Sequence, residues 1–414
     1  MAERAAVILA AGVSSRMNTM MPKVLHEVCG RPMLAYVLDA CRHVGVTKIY
    51  VVVGFSAGDV KERFDGPDDI EWVVQEEQLG TAHAVLCCKE YLQDFEGQML
   101  VLCGDGPLIR SATLKTLIEK HEAEQSAATL ATAVLEDPAG YGRIVRDAYG
   151  NMQGIIEHSD CTKEQLAIKE VNPSYYLFNN KILLEALEKV KPDNVKKEYY
   201  LTDALAGIIG TGHKVVAVTA VLPEEAMGVN SRRQLSEASK IMQRRIQQEL
   251  MENGVTIVDP DNTWIDARAR IGQDTVIEPF TYIHGEVEIG LGCRIGPFAY
   301  LRDGTVLKND VVLGVHTEVK NSTLEDGVRA RHHSYIGDAT VGRNVNIGAG
   351  SITANYDGKT VSRTKVGDDC YIGSGAILIA PVEVKNGSHI ASGTVVSQES
   401  VNELGGENKS DVSK

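Results

Sequence analysis

Several features are missing from this 414-residue chain. No apolar run is long enough to cross a bilayer: stretches such as residues 6–11 fall far short of the roughly 20 residues a membrane helix needs. The N-terminus has no basic segment followed by a long apolar stretch, so neither a secretion signal nor a membrane partner is expected. The eight cysteines form no Cys-x-x-Cys pair, and adjacent Cys87 and Cys88 have a poor geometry for bridging each other. Reduced thiols in a cytoplasmic protein are the expectation. An excess of positive charge is lacking too. The formal net charge of −14 argues against nucleic acid as a partner. It leaves room for nucleotides and other small-molecule substrates, which need only a few local cations.

What remains is a globular composition, 43% hydrophobic and 24% charged, on a chain long enough for two domains. Strand-like apolar runs at 6–10, 48–53, 71–74 and 99–103 alternate with amphipathic segments at 32–44, 81–91 and 111–121. That alternation predicts an α/β, Rossmann-like domain over residues 1–230, its largely parallel sheet covered by helices on both faces. Ligand sites in such sheets sit on loops at the carboxyl ends of the strands. Residues 231–254 read as a linker helix, with Leu235, Ile241, Ile246 and Leu250 as its apolar stripe.

Beyond the linker the periodicity changes. An aliphatic residue stands at every sixth position through Ile265, Ile271, Ile277, Ile283, Ile289, Ile295, Leu301, Leu307, Leu313 and Val319. The register slips by one near Leu324, weakens through Ile336 and Ile347, and returns at Val366, Ile372, Leu378, Val384, Ile390 and Val396. A six-residue period fits neither a helix nor an alternating strand. It fits a triangular coil with one short strand per side and the aliphatics stacked inward. This resembles the hexapeptide-repeat proteins, whose fold is a left-handed parallel β-helix. Residues 255–398 would form a prism of about seven coils spaced ~4.8 Å apart. Glycines such as Gly272, Gly290 and Gly314 directly follow repeat aliphatics, where tight corners are expected. Residues 355–364 break the period as a loop, and the polar tail 399–414 is expected to be disordered.

The first chemical signal follows the first strand. Leu9-Ala10-Ala11-Gly12 leads to Arg16 and then to Pro22-Lys23-Val24-Leu25. Backbone amides in such a turn can hold phosphate oxygens, which Arg16 and Lys23 can neutralise. Gln75, Gln78, Gly80 and Thr81 follow another strand, and Gly104-Asp105-Gly106 puts a carboxylate at the end of a third. Gly140-Tyr141-Gly142-Arg143, Glu157-His158, Asn172, the run from Glu198 to Asp203, and Gly228-Val229-Asn230 complete the series.

In this order and spacing the motifs resemble the bacterial bifunctional N-acetylglucosamine-1-phosphate uridylyltransferases/glucosamine-1-phosphate acetyltransferases, over nearly the whole chain. The resemblance implies synthesis of UDP-N-acetylglucosamine. UTP and acetyl-CoA would be co-substrates and Mg²⁺ the metal, held by Asp105 and Asn230. It implies nucleotide binding by Leu9, Gly12, Lys23, Gln75, Gln78, Gly80 and Thr81, with Arg16 and Lys23 stabilising the triphosphate. Gly142, Glu157, Asn172, Tyr200 and Thr202 would bind the amino-sugar. In the repeat domain His332 would be the general base, and Arg302, Lys320, Tyr335 and Asn346 would bind the sugar phosphate. Asn355, Tyr356, Ser374 and Ser392 would bind acetyl-CoA. In the family this second site lies between subunits, so a homotrimer through the β-helix is implied.

The chain departs from the family at several places. Ser14 and Ser15 replace a glycine and a threonine of the first loop, and Pro173-Ser174 replaces Thr-Gly after Asn172. Val361 stands where a lysine is common. After Lys385 the only basic residues are His389, Lys409 and Lys414, so the arginine of the family's C-terminal arm is not seen. The phosphates of acetyl-CoA would then lack cationic partners, so acetyl transfer with a high KM for acetyl-CoA is expected; a low KM would instead point to Arg363 or Lys365 as the replacement cation. Two alternatives stay open at this level: a uridylyltransferase, on this or another sugar-1-phosphate, with the prism as a trimerisation scaffold, or a non-catalytic regulatory scaffold.

Overall fold

A computed structural model describes residues 3–12, 15–54, 57–64 and 66–400. The chain divides into two compact units, Met1–Ile241 and Met242–Lys414, with the division inside the helix Arg232–Glu252. Among the described residues no helix is long and apolar enough to cross a membrane. Among the described residues no cysteine is joined to another.

The first unit is built on a nine-stranded sheet: β1 (Arg4–Ala10), β2 (Lys48–Val53), β3 (Ile70–Val74), β4 (Gln98–Cys103), β5 (Ala128–Val134), β6 (Gly142–Arg146), β7 (Met152–Ile156), β8 (Glu170–Asn179) and β9 (Val215–Thr219). Its main order is β9-β5-β8-β4-β1-β2-β3, with β6 paired to β8 and β7. Strands β1 to β4 run parallel, in registers such as Ile8↔Val51 and Ile8↔Leu102. Along β1, Ala5 and Val7 enter one core with the helices Thr81–Leu86 and Leu201–Gly210. Ala6 and Ile8 enter the other, with Met33–His43 and Ser111–Glu124. A strand buried on both faces needs a continuous apolar run, which is what the sequence shows there.

Three local expectations are revised. The helix expected over 81–91 is two pieces, Thr81–Leu86 and Lys89–Leu92, separated at Cys87 and Cys88. The longest strand, β8, is antiparallel to β4, β5 and β6 and was hidden in the sequence by Pro173. A proline has no ladder donor, and the pairing of β8 with β5 shifts register between Val171 and Tyr175, where Pro173 sits. On the helix Arg232–Glu252, Gln243 and Gln247 are more deeply buried than the expected stripe residues.

The second unit is a left-handed parallel β-helix of three sheets, with eight, eight and seven strands. Eight rungs stand where about seven were expected. The first is irregular, Thr256–Ile257 and Trp264–Ile265 being joined through the turn Pro260–Asn262, so the six-residue period does not show it. The inward aliphatics, from Ile265 through Val396, are almost all buried in one core. The register slip has a simple origin. Rungs such as Arg294↔Val312 are 18 residues apart, Val312↔Arg329 and Arg329↔Asn346 are 17, and Asn346↔Tyr371 spans the 355–364 loop.

The repeat glycines serve a different purpose from the one expected. A Cβ at Gly290 would lie 2.7 Å from the Lys308 backbone of the next rung, so close stacking excludes a side chain there. The first rung is closed by Gln243, whose Nε2 donates to the Ile265 carbonyl at 2.5 Å and whose Oε1 accepts from the Ile265 N–H at 2.9 Å. Gln247 donates to the carbonyls of Pro260 and Thr263. Two buried amides thus satisfy backbone groups that no preceding rung can pair.

Candidate active sites

Because β1 to β4 are parallel, the loops after them emerge along one edge of the sheet. Lys23 opens the short turn Lys23–Leu25, and its Nζ donates to Asp105 Oδ2 at 2.5 Å and to Asn230 Oδ1 at 3.0 Å. Asp105 stands two residues beyond β4, and its carbonyl accepts the Val229 N–H at 2.9 Å, which draws Asn230 alongside. Asn230 is steadied by its own N–H donating to Gln234 Oε1 at 2.9 Å and by Nδ2 donating to the Gly228 carbonyl at 3.2 Å. Two oxygens, one from a carboxylate and one from an amide, therefore converge on a single cation. Such a pair suits a hard divalent ion that completes its shell with phosphate and water oxygens. Among the described residues no cluster of three or more His, Cys, Asp or Glu competes as a metal centre.

Gln75 is buried just past the end of β3. Its Nε2 donates to the Gly80 carbonyl at 3.2 Å and meets His83 Nδ1 at 3.0 Å. Gln78 is exposed and donates to the Gln75 carbonyl at 3.3 Å. Gly80 has φ +124°, and a Cβ there would lie 2.7 Å from the Tyr199 nitrogen. Only glycine allows the strand-to-helix turn to pass so close to the 198–203 segment. Thr81 Oγ1 accepts the Leu201 N–H at 2.9 Å. Arg16 is exposed and Gly12 opens the loop after β1, whereas Ser14 lies outside the described residues.

A cavity of about 50 Å³ is lined by Leu9, Thr81, Cys103, Glu157, Ser174, Tyr176 and Thr202, among others. Thr202 donates to Glu157 Oε1 at 3.4 Å, and Gly142 leaves room beside the same carboxylate. Burial, the largest cause, raises the Glu157 carboxyl above the usual carboxylate range, against the opposing pull of Lys196 and the Thr202 hydrogen bond. Asn172 is engaged at both ends of its amide: Nδ2 donates to the Tyr176 hydroxyl at 2.6 Å and Oδ1 accepts the Ser174 N–H at 3.0 Å, which leaves one N–H and one lone pair. Tyr200 is buried, and burial, the largest cause, pushes its hydroxyl pKa up to about 12 against the opposing effect of Ser159. Cys103, Ser174 and Tyr176 were missed in the sequence. Their signal was adjacency: Cys103 precedes Gly104-Asp105 by one position, and Ser174 and Tyr176 follow Asn172 at alternate positions of β8.

In the prism the candidate residues fall on two edges of one face. Arg302, Lys320 and Asn355 lie at the carboxyl ends of strands of one sheet, Tyr300–Leu301, Glu318–Lys320 and Ile352–Ala354, and Tyr335 opens the strand between the last two. Arg302 donates to Glu318 Oε1 at 2.8 Å, and that hydrogen bond raises its already high pKa. Lys320 Nζ is 3.9 Å from Asp338 Oδ2. Asn355 donates to Asp338 at 2.5 Å and faces the Tyr335 hydroxyl at 3.5 Å. His332, Asn346, Ser374 and Ser392 belong instead to first-face strands or the corners after them. His332 is exposed, and its ring has no hydrogen-bonding or ion-pair partner among the described residues. Tyr356 projects from the 355–364 loop and is 61% exposed. The carboxylates Glu318 and Asp338 were not predicted as site residues, although Asp338 is three positions from Tyr335.

These features define a nucleotidyltransferase joined to a hexapeptide-repeat transferase. The MobA-like NTP transferase domain model matches residues 6–200, and the bacterial transferase hexapeptide model matches 268–303 and 363–398. The chain is 45% identical to the bifunctional protein GlmU of Geobacillus sp. strain WCH70, over 96% of this chain and 94% of that protein. The proteins of the same description from Listeria welshimeri and Geobacillus thermodenitrificans are each 43% identical over the same shares. The chain belongs to the GlmU family and is a bifunctional transferase.

Proposed function

We propose that the chain makes UDP-N-acetylglucosamine in two steps, acetylating glucosamine-1-phosphate with acetyl-CoA and then transferring uridylyl from UTP to the product. The convergence of Lys23, Asp105 and Asn230 from opposite ends of the first unit is the observation that carries the reading. Residues 1–230 carry the uridylyl transfer and residues 255–398 the acetyl transfer. In the first site Gln75, Gln78, Gly80 and Thr81 seat the uracil, with Leu9 and Gly12 against the nucleotide. Glu157, Thr202, Asn172, Gly142 and Tyr200 hold the amino-sugar. Arg16 and Lys23 stabilise charge on the triphosphate as a sugar-phosphate oxygen attacks the α-phosphorus and pyrophosphate leaves. Asp105 and Asn230 hold Mg²⁺, which neutralises phosphate charge when bound.

In the second site the acceptor's amine attacks the thioester carbonyl, His332 takes the amine proton, and coenzyme A leaves as the thiol. Arg302, Lys320, Tyr335 and Asn346 hold the sugar phosphate. Asn355, Tyr356, Ser374 and Ser392 flank acetyl-CoA. The separation of His332 from Arg302 and Lys320 onto two edges supports a homotrimer in which neighbouring prisms complete one another's sites. The enzyme works on small molecules in the cytoplasm. Incubation with glucosamine-1-phosphate, acetyl-CoA, UTP and Mg²⁺, with every product identified by mass, tests both steps. N-acetylglucosamine-1-phosphate, UDP-N-acetylglucosamine and pyrophosphate are expected, and absence of any of them removes the corresponding step.

A further inference from the structure

Arg302 and Lys320 line a pocket of about 400 Å³ together with His284, Tyr300, Asp303 and Asn321. Neither cation is free: Arg302 is paired with Glu318 at 2.8 Å and Lys320 lies 3.9 Å from Asp338. Asp303 adds a third carboxylate in the wall, where it accepts the Glu286 N–H at 2.7 Å. Three carboxylates therefore oppose two cations around a pocket read as holding a phosphate dianion. An anion entering such surroundings gains little net attraction.

One more cation, from a distant part of the chain, is bonded to a residue of the pocket wall. Arg363 stands near the end of the 355–364 loop, and its Nη2 donates to the backbone carbonyl of Asn321 at 3.2 Å. Asn321 is itself part of the pocket wall, pinned by its Nδ2 donating to Asp338 Oδ1 at 2.5 Å. Arg363 is exposed, and no carboxylate lies within ion-pair distance of it among the described residues. A carbonyl occupies one arm of the guanidinium and leaves other N–H donors of the fork uncommitted.

We propose that Arg363 is a phosphate-binding residue of the second site, supplying the positive charge that Arg302 and Lys320 do not have to spare. Its ligand is the phosphate monoester of the acetyl acceptor rather than the acyl donor. A planar fork can bind two phosphate oxygens at once, so it adds orientation as well as charge. The proposal rests on reading this pocket as the sugar-phosphate subsite.

Steady-state acetyl transfer by the full chain separates the two. Arg363→Ala should raise the KM for glucosamine-1-phosphate about tenfold, equivalent to about 1.4 kcal/mol, with kcat and the KM for acetyl-CoA unchanged. Arg363→Lys should recover part of the loss, and added salt should narrow the gap. Arg302→Ala is the companion variant. If it raises the KM for the sugar phosphate while Arg363→Ala does not, the role of Arg363 is overturned and the subsite stands. A rise confined to acetyl-CoA with Arg363→Ala also overturns it. If neither variant changes the KM, the subsite reading fails and takes the proposal with it.

Discussion

The two units assemble chemistry in opposite ways. In the first, residues 23, 105 and 230 are brought within hydrogen-bonding distance of one another by parallel strands whose ends share an edge. In the second, Arg302 and Lys320 stack at one end of their strands, while Tyr335 opens the next strand of that sheet and His332 ends the strand before it in the chain. A doubly covered sheet can focus distant segments onto one point. A repeating coil can only arrange residues in columns, so a site needing two columns is completed from outside the column or from another chain.

Asp105→Ala tests the focused site most severely. It leaves Lys23 without its carboxylate and the proposed metal pair with one oxygen. Uridylyl transfer should fall by about 10²–10³-fold or more, with acetyl transfer retained. Pyrophosphate release at the parent rate would remove Asp105 from the site. His332→Ala is the counterpart in the prism, where acetyl transfer should drop by about 10²-fold and uridylyl transfer should not. Equal loss of both activities would mean that the two units are not chemically separable.

Smaller effects sharpen the contrast in stability. Gln243→Leu strips the Ile265 backbone of both its partners and should destabilise the prism by about 1–3 kcal/mol. Thermal unfolding followed separately from uridylyl transfer would detect it, and an unchanged transition would show that water replaces the amide. The mildest test is titration. Glu157 has a raised carboxyl pKa, so as pH falls it gains its proton earlier than an ordinary glutamate. By linkage, its charged form costs the folded state stability as pH rises through the unfolded value toward the folded one. The kcat/KM for N-acetylglucosamine-1-phosphate should therefore decline on the acid side above the normal glutamate range, and Glu157→Gln should remove that limb. A limb that survives the substitution belongs to another group.

Most of the prism was readable because its core repeats. Ile277 and Ile295 occupy equivalent places, and one residue type at one spacing implies one direction of the side chain. The first rung escaped because Pro260–Asn262 interrupts the period, and the 17-residue rungs appeared only as a slip. In the sheet unit, motif residues such as Lys23 and Asp105 were legible, but what holds them was not. Pairing of Lys23 with Asn230 spans 207 positions, and no local pattern reports it. Nor does a sequence reveal that Glu318 and Asp338 already occupy the cations beside them, since that depends on which neighbours a corner brings together.

The 355–364 loop leaves the stack between Ala354 and Thr364, yet the rungs on either side pair as if it were absent, with Ala354 opposite Ile379 and Val341 opposite Val366. Each rung pairs only with its neighbours, so the length of that loop is decoupled from the stacking of the scaffold, and the loop touches it through a few bonds such as those of Asn355 and Arg363. Such an arrangement makes the prism evolvable: substrate preference can be rewritten in the excursion, by substitution or by grafting, without renegotiating the fold beneath it.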